Sequence, residues 1–114
     1  RAAVRGMDRK YTRELFSLAP LPDLVLYLRV DLDTLTRRVL QSTGMDHWEA
    51  GKDRYPDFDI YESFRAYQSQ ILGEFDRMAT EFSFHTIDAS RSIEIVQEDL
   101  RAAVTPLFPE MAAL

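Results

Sequence analysis

The chain contains no cysteine, which excludes disulfides, thiol nucleophiles and cysteine-ligated metal sites. Glycine is scarce. Gly6, Gly44, Gly51 and Gly73 are its four glycines, too scattered to form a Gly-x-x-x-x-Gly-Lys-Ser/Thr or a Gly-x-Gly-x-x-Gly segment. The sequence therefore carries no standard backbone cradle for phosphate. It also lacks a Gly-x-Ser-x-Gly elbow and a His-Glu-x-x-His pair. Two histidines, His47 and His85, stand too far apart in sequence to suggest a histidine metal site. No apolar run approaches the ~20 residues of a membrane span, and nothing at the start reads as a signal peptide. Positive charge is outweighed, with 14 Lys and Arg against 19 Asp and Glu for a net charge of −5. That balance argues against an extended nucleic-acid or acidic-membrane surface, though not against a local basic site. A cytoplasmic location is the expectation, and Arg1 in place of methionine suggests that residues upstream have been removed.

What is present is an ordinary globular composition: 114 residues, 46% hydrophobic and 29% charged, enough for one small domain or a piece of a larger one. Val4, Met7, Tyr11, Leu15 and Leu18 recur at helical steps and predict a helix over residues 4–18, ended by Pro20 and Pro22. Leu24 to Val30 is nearly all apolar, the pattern of a strand buried on both faces of a parallel sheet. Asp31 suits the cap of a following helix, with Asp33 in its first turn, a stripe of Leu32, Leu35 and Val39, and Gly44 as the stop. Residues 45–58 lose periodicity and mix both charges, which predicts an irregular exposed loop held by little burial.

From Ile60 the pattern is strongest: Phe64, Tyr67, Ile71, Phe75, Met78 and Phe82 follow at helical spacing. A short strand, Phe84 to Asp88, comes next, and then Ala89-Ser90-Arg91. Ser92 and Glu94 suit the start of a last helix with Ile93, Val96, Leu100, Val104 and Leu107 inward, fraying at Pro106 and Pro109. Strands alternating with helices indicate a parallel α/β sheet. Two strands cannot bury both faces and both edges, so the chain reads as half of a three-layer α/β/α fold.

Four strings, in order and at natural spacing, resemble the carboxy-terminal half of thymidylate-kinase-like P-loop nucleotide kinases. MDRKYTRELFSLAPLPD (Met7 to Asp23) is similar to the helix before the family's "PDL" strand. PDLVLYLRVDLDTLTRRV (Pro22 to Val39) is similar to that strand and a helix ending in arginine. GMDHWEAGKDRYPDFDIYESFRAYQSQILGEFDRMA (Gly44 to Ala79) resembles the family's lid and long helix. FHTIDASRSIEIVQEDL (Phe84 to Leu100) resembles its last strand, adenine-contacting turn and final helix. Deoxynucleoside kinases share the architecture and a similar "YLR" strand.

The resemblance implies a parent that transfers the γ-phosphoryl of ATP to a nucleoside monophosphate, dTMP above all, with Mg2+ held mainly by the half that this chain does not contain. Residues 1–114 would supply a lid at about 45–58 and an adenine-side loop at about 88–92. Arg37 and Arg38 fall where the family has arginine near the triphosphate and adenine, and Ala89, Ser90 and Arg91 match the turn along adenine. A guanidinium can pair with phosphate or stack on a base, and turns after parallel strands are where such sheets bind ligands. Arg37 and Arg38 read equally as a solvated helix face, and the turn as a plain helix cap.

The lid departs from the family pattern, since Asp46-His47-Trp48-Glu49 lacks the usual arginine, while Lys52 and Arg54 follow a little later. Either cation could reach a phosphate when a lid closes, or simply be solvated. Trp48 reads as a lid anchor or an interface residue. Tyr61, Phe64 and Tyr67 fall where the family has aromatics near lid and substrate, but a stripe at helical spacing is more often plain core. Asp53, Asp57 and Asp59 read as a solvated loop rather than a metal site, and neither His47 nor His85 as catalytic. The open strand edges imply a homodimer or larger assembly, or order only within a longer parent. Without the phosphate loop the chain is expected to be inactive alone, and a kinase-derived binding or assembly module is the alternative reading.

Overall fold

The computed structural model describes residues 1–42, 44 and 46–110. In chain order the elements are α1 (Arg9–Leu15), β1 (Leu26–Arg29), α2 (Leu32–Gln41), α3 (Ile60–Glu81), β2 (His85–Asp88) and α4 (Ile93–Val104), with a 3-10 turn at Thr105–Leu107. The two strands pair in parallel, with Leu26 opposite His85 and Leu28 opposite Ile87. Parallel pairing requires a crossover, and α2, the 46–58 segment and α3 supply it.

Asp31 and Ser92 cap helices where the sequence places them, and Asp59, read from sequence as part of a solvated loop, caps α3 as well. Asp31 accepts from the Thr34 amide at 2.8 Å, Asp59 from the Glu62 amide at 2.8 Å, and Ser92 from the Ile95 amide at 3.4 Å. Gly44, left-handed at φ +87°, donates its amide to the Val39 carbonyl beyond the end of α2. The long helix runs as expected, and its Phe64, Tyr67 and Ile71 form the core with Ile87 of β2 and Ala50.

Other expectations are corrected. The helix predicted over 4–18 is only Arg9–Leu15, because Asp8 takes the amides of Lys10 and Tyr11 and Gly6 turns left-handed at φ +97° before it. Among the described residues no element covers its apolar stripe, and Leu18 is 98% exposed. The strand predicted over 24–30 is four residues long, since it has one partner strand instead of two. Burial on both faces is not achieved either, and Leu28 remains 48% exposed. On α2 the fully buried side chains are Thr34 and Thr36, while Leu32, Leu35 and Val39 are half-buried. Thr36 satisfies its hydroxyl by donating to the Leu32 carbonyl at 2.7 Å. The inner face expected of α4 is open, with no buried residue and Ile93 77% exposed.

These exposures add up. The accessible surface is 8324 Å², against about 6,400 Å² for a compact monomer of this mass. The core is small for the apolar content of the chain.

Candidate functional site

The turn after β2 is assembled from three elements. The Ala89 amide donates to the Arg29 carbonyl at 2.8 Å, carrying the strand ladder one residue past β2. The Ser90 amide donates to Asp88 Oδ1 at 2.9 Å, and the Ser90 hydroxyl donates to Asp31 Oδ2 at 2.9 Å. Asp31 also accepts the Thr34 hydroxyl at 2.7 Å. Bonds from the Thr34 amide and hydroxyl, and then from Ser90, lower the Asp31 carboxyl to about 2. From the last turn of α2, Arg38 spans two backbone carbonyls, Ala89 O at 2.9 Å and Ser90 O at 3.2 Å. Arg91 turns back on the Asp88 carbonyl at 2.9 Å and pairs with Asp99 of α4. Above the turn lies an open cavity of about 530 Å³, lined by Leu28, Arg38, Ala89, Ile93, Val96 and Leu100 among others.

Arg38, Ala89, Ser90 and Arg91 are thus brought together. Arg37 is not among them. It lines a different cleft, with Asp33, Tyr61 and Arg65, on the face of α2 that meets α3.

The 46–58 segment is not the weakly held loop that its composition predicts. Ala50 is fully buried, its carbonyl taking the Ser63 hydroxyl of α3 at 2.5 Å, and Gln68 donates to the Glu49 carbonyl at 2.7 Å. Gly51 lies so close to the Tyr67 ring that a Cβ there would meet Tyr67 Cγ at 2.3 Å. Arg5 closes this side: its guanidinium bonds Asp53 at 3.0 Å and the Trp48 carbonyl at 3.3 Å, and stacks 4.6 Å from the Tyr67 ring centre. That bond lowers the Asp53 carboxyl. Lys52 is spent locally, its ammonium bonding the carbonyls of Pro56 and Phe58. Arg54 is exposed. Met45, at the start of the expected lid, lies outside the described residues.

Of the aromatic stripe, Phe64 and Tyr67 are core, whereas Tyr61 is exposed beside Arg65. Among the described residues no group of three or more His, Asp or Glu is placed to hold a metal ion, and no helix is long and apolar enough to cross a membrane.

Two features escaped the sequence reading. One is Asp31, which reads as a plain helix cap but also ties α2 to the turn. The other is Asp76 of α3, which accepts both Arg29 nitrogens at 2.9 and 3.0 Å and the Tyr27 hydroxyl at 3.0 Å. An arginine inside an otherwise apolar strand was the visible signal for the second.

A parallel strand pair with a basic helix clamped on the turn at its carboxyl end is a partial α/β P-loop kinase fold. No family model matches the chain. It is 34% identical over 103 residues to a Saccharolobus solfataricus protein named "Probable thymidylate kinase 2", covering 89% of this chain and 48% of that one. It is 29% identical over 104 residues to the thymidylate kinase of Schizosaccharomyces pombe, covering 87% of this chain and 42% of that one. The chain spans about half the length of the curated relatives it matches. It belongs to the thymidylate kinase-like family, corresponding to the carboxy-terminal portion of the kinase.

Proposed function

We propose that this chain forms the lid and adenine side of a nucleotide kinase that transfers the γ-phosphoryl of ATP to dTMP. A phosphate oxygen of dTMP attacks the γ-phosphorus and the bond to the β–γ bridging oxygen breaks, leaving dTDP and ADP. The observation that carries the proposal is the clustering of Arg38, Ala89, Ser90 and Arg91 at the carboxyl end of a parallel strand, beside a cavity of about 530 Å³. Ligands of open parallel sheets bind in that position. The apolar wall of Leu28, Val96 and Leu100 suits one face of a purine ring.

In this reading the 46–58 segment is the lid, and Arg54, exposed on it, approaches the transferring phosphate when nucleotide is bound. Lys52 would join only after releasing the Pro56 and Phe58 carbonyls, which makes Arg54 the better placed of the two. Arg37 serves the triphosphate side only if nucleotide reaches the α2–α3 cleft. Magnesium, when bound, neutralises phosphate charge, and its ligands would come from the rest of the kinase, which also supplies the phosphate loop. Self-association of the complete kinase as a homodimer belongs to the same proposal.

The full-length protein, assayed with ATP, magnesium and dTMP, should form dTDP, and these 114 residues alone should not. A full-length protein that binds ATP without turnover would favour the binding or assembly module. Turnover by the isolated chain, free of contaminating kinase, would refute the division of labour.

A further inference from the structure

The bonds around the turn after β2 assign Arg38 a role other than the direct phosphate contact its charge suggests. Both of its terminal nitrogens are engaged by backbone carbonyls of the turn, Ala89 O and Ser90 O. From the other end of α2, Asp31 holds the same turn through the Ser90 hydroxyl, and the Asp31 amide donates back to that oxygen at 3.4 Å. α2 therefore grips residues 89–90 at both of its ends, with Asp31 at its cap and Arg38 in its last turn. Apart from this grip the turn is tied by the Ala89 amide on the Arg29 carbonyl, by local bonds to Asp88 and by the Arg91–Asp99 pair, while α4 beyond it buries no residue.

We infer that Asp31 and Arg38 are positioning residues that hold the 89–91 turn in the shape that receives the purine of a nucleoside triphosphate, neither of them acting on phosphate. The inference rests on the proposed kinase reading for its ligand, but the grip itself exists without nucleotide. A turn free of its grip samples several shapes, and binding then costs the ordering of that turn. The guanidinium fork matters here because one planar group spans two carbonyls, which a lysine ammonium on a flexible stem does not reproduce.

The test uses the full-length protein with magnesium–ATP and dTMP as separate probes in equilibrium dialysis, and amide exchange at Ala89 and Ser90 without nucleotide. Asp31→Ala and Arg38→Lys should each weaken magnesium–ATP binding about five- to tenfold, the low end of the coupling expected when a residue acts on a ligand through a neighbouring segment. Binding of dTMP should not move, and exchange at Ala89 and Ser90 should quicken. Asp31→Ala also uncaps α2, so Ser90→Ala, which spares the Thr34 cap, decides if that variant fails to fold. Retained ATP affinity in Arg38→Lys, with loss only in Arg38→Ala, would mark a direct charge contact and overturn the inference. Quickened exchange with unchanged ATP affinity would overturn it as well, as would unchanged exchange. If the wild-type protein binds no ATP, the kinase reading is what fails, and exchange at residues 89–90 alone then judges the grip.

Discussion

Gly51→Ala is the sharpest test of how the 46–58 segment is held. The new Cβ would stand 2.3 Å from Tyr67 Cγ, 2.4 Å from its Cβ and 2.8 Å from its Cδ2, with the backbone at φ +66°. Alanine in the left-handed region costs about 1–2 kcal/mol, and overpacking a filled site about 1–3 kcal/mol more. The sum, about 2–5 kcal/mol, is a large part of what holds any small domain together. Tyr67 cannot yield cheaply, because it is buried in the core beneath the Arg5 guanidinium. The cheaper response is for the segment to lift away, exposing Ala50 and breaking its bond with Ser63. Hydrogen exchange on the full-length protein should then quicken at the amides of Ala50, Gly51 and Lys52, which are bonded within the segment, and stay slow at Ile71 in α3. A denaturation midpoint and exchange pattern equal to wild type would refute the docking of this segment on Tyr67.

Three further outcomes follow from local geometry. Gly73→Ala, on an exposed face of α3 with no heavy atom within 4 Å of the new Cβ, should stabilise the protein by about 1 kcal/mol, read as a raised urea midpoint. Phe64→Ala, at a side chain 1% exposed, should cost about 3–5 kcal/mol in the same assay, and a loss under 1 kcal/mol would mean the core is centred elsewhere. Burial, and then the bond to Asp76, push the Tyr27 hydroxyl from 10.0 to about 12, so its share of stability is complete below pH 10 and lost as pH rises toward 12. Tyr27→Phe should flatten alkaline unfolding over that window, and an unchanged pH profile would refute the assignment.

What the sequence made legible was what local chemistry decides. Asp31 and Ser92 cap helices whatever lies around them, and the apolar repeat from Ile60 to Phe82 is too long to fold otherwise. Strand length was not local, because Leu24 to Val30 extends only as far as a neighbouring strand bonds it, and β2 bonds four residues. The docking of the 46–58 segment was hidden for a different reason. Its anchors are the carbonyls of Glu49 and Ala50 and the missing side chain of Gly51, and none of these registers as an apolar pattern. Arg5 meets Asp53 across 48 residues of sequence, and spacing carries no trace of that pairing. At the turn, the family resemblance pointed to Arg37, Arg38, Ala89, Ser90 and Arg91 together, and only the fold separates Arg37 from the rest, by facing it toward α3.

The surface left open is large for a chain of this mass. Its excess over a compact monomer is about 1,900 Å², more than twice the ~800 Å² that each partner buries in a standard-size interface. A groove of about 480 Å³ accounts for part of it, running along β1 between Val25, Leu26, Leu35, Ile71 and Phe75. One wall carries Tyr27, whose hydroxyl is already satisfied by Asp76, as are Nε and Nη2 of Arg29 beside it. An apolar partner can therefore fill the groove without stranding those polar groups, and the uncovered edge of β1 still offers backbone bonds to a strand. A second copy meets the apolar requirement through its own exposed stripes, but to meet the hydrogen-bonding requirement it must present an extended strand, and both strands here are four residues long. Under the kinase reading proposed above, further strands of a parallel-sheet kinase would satisfy both requirements at one surface.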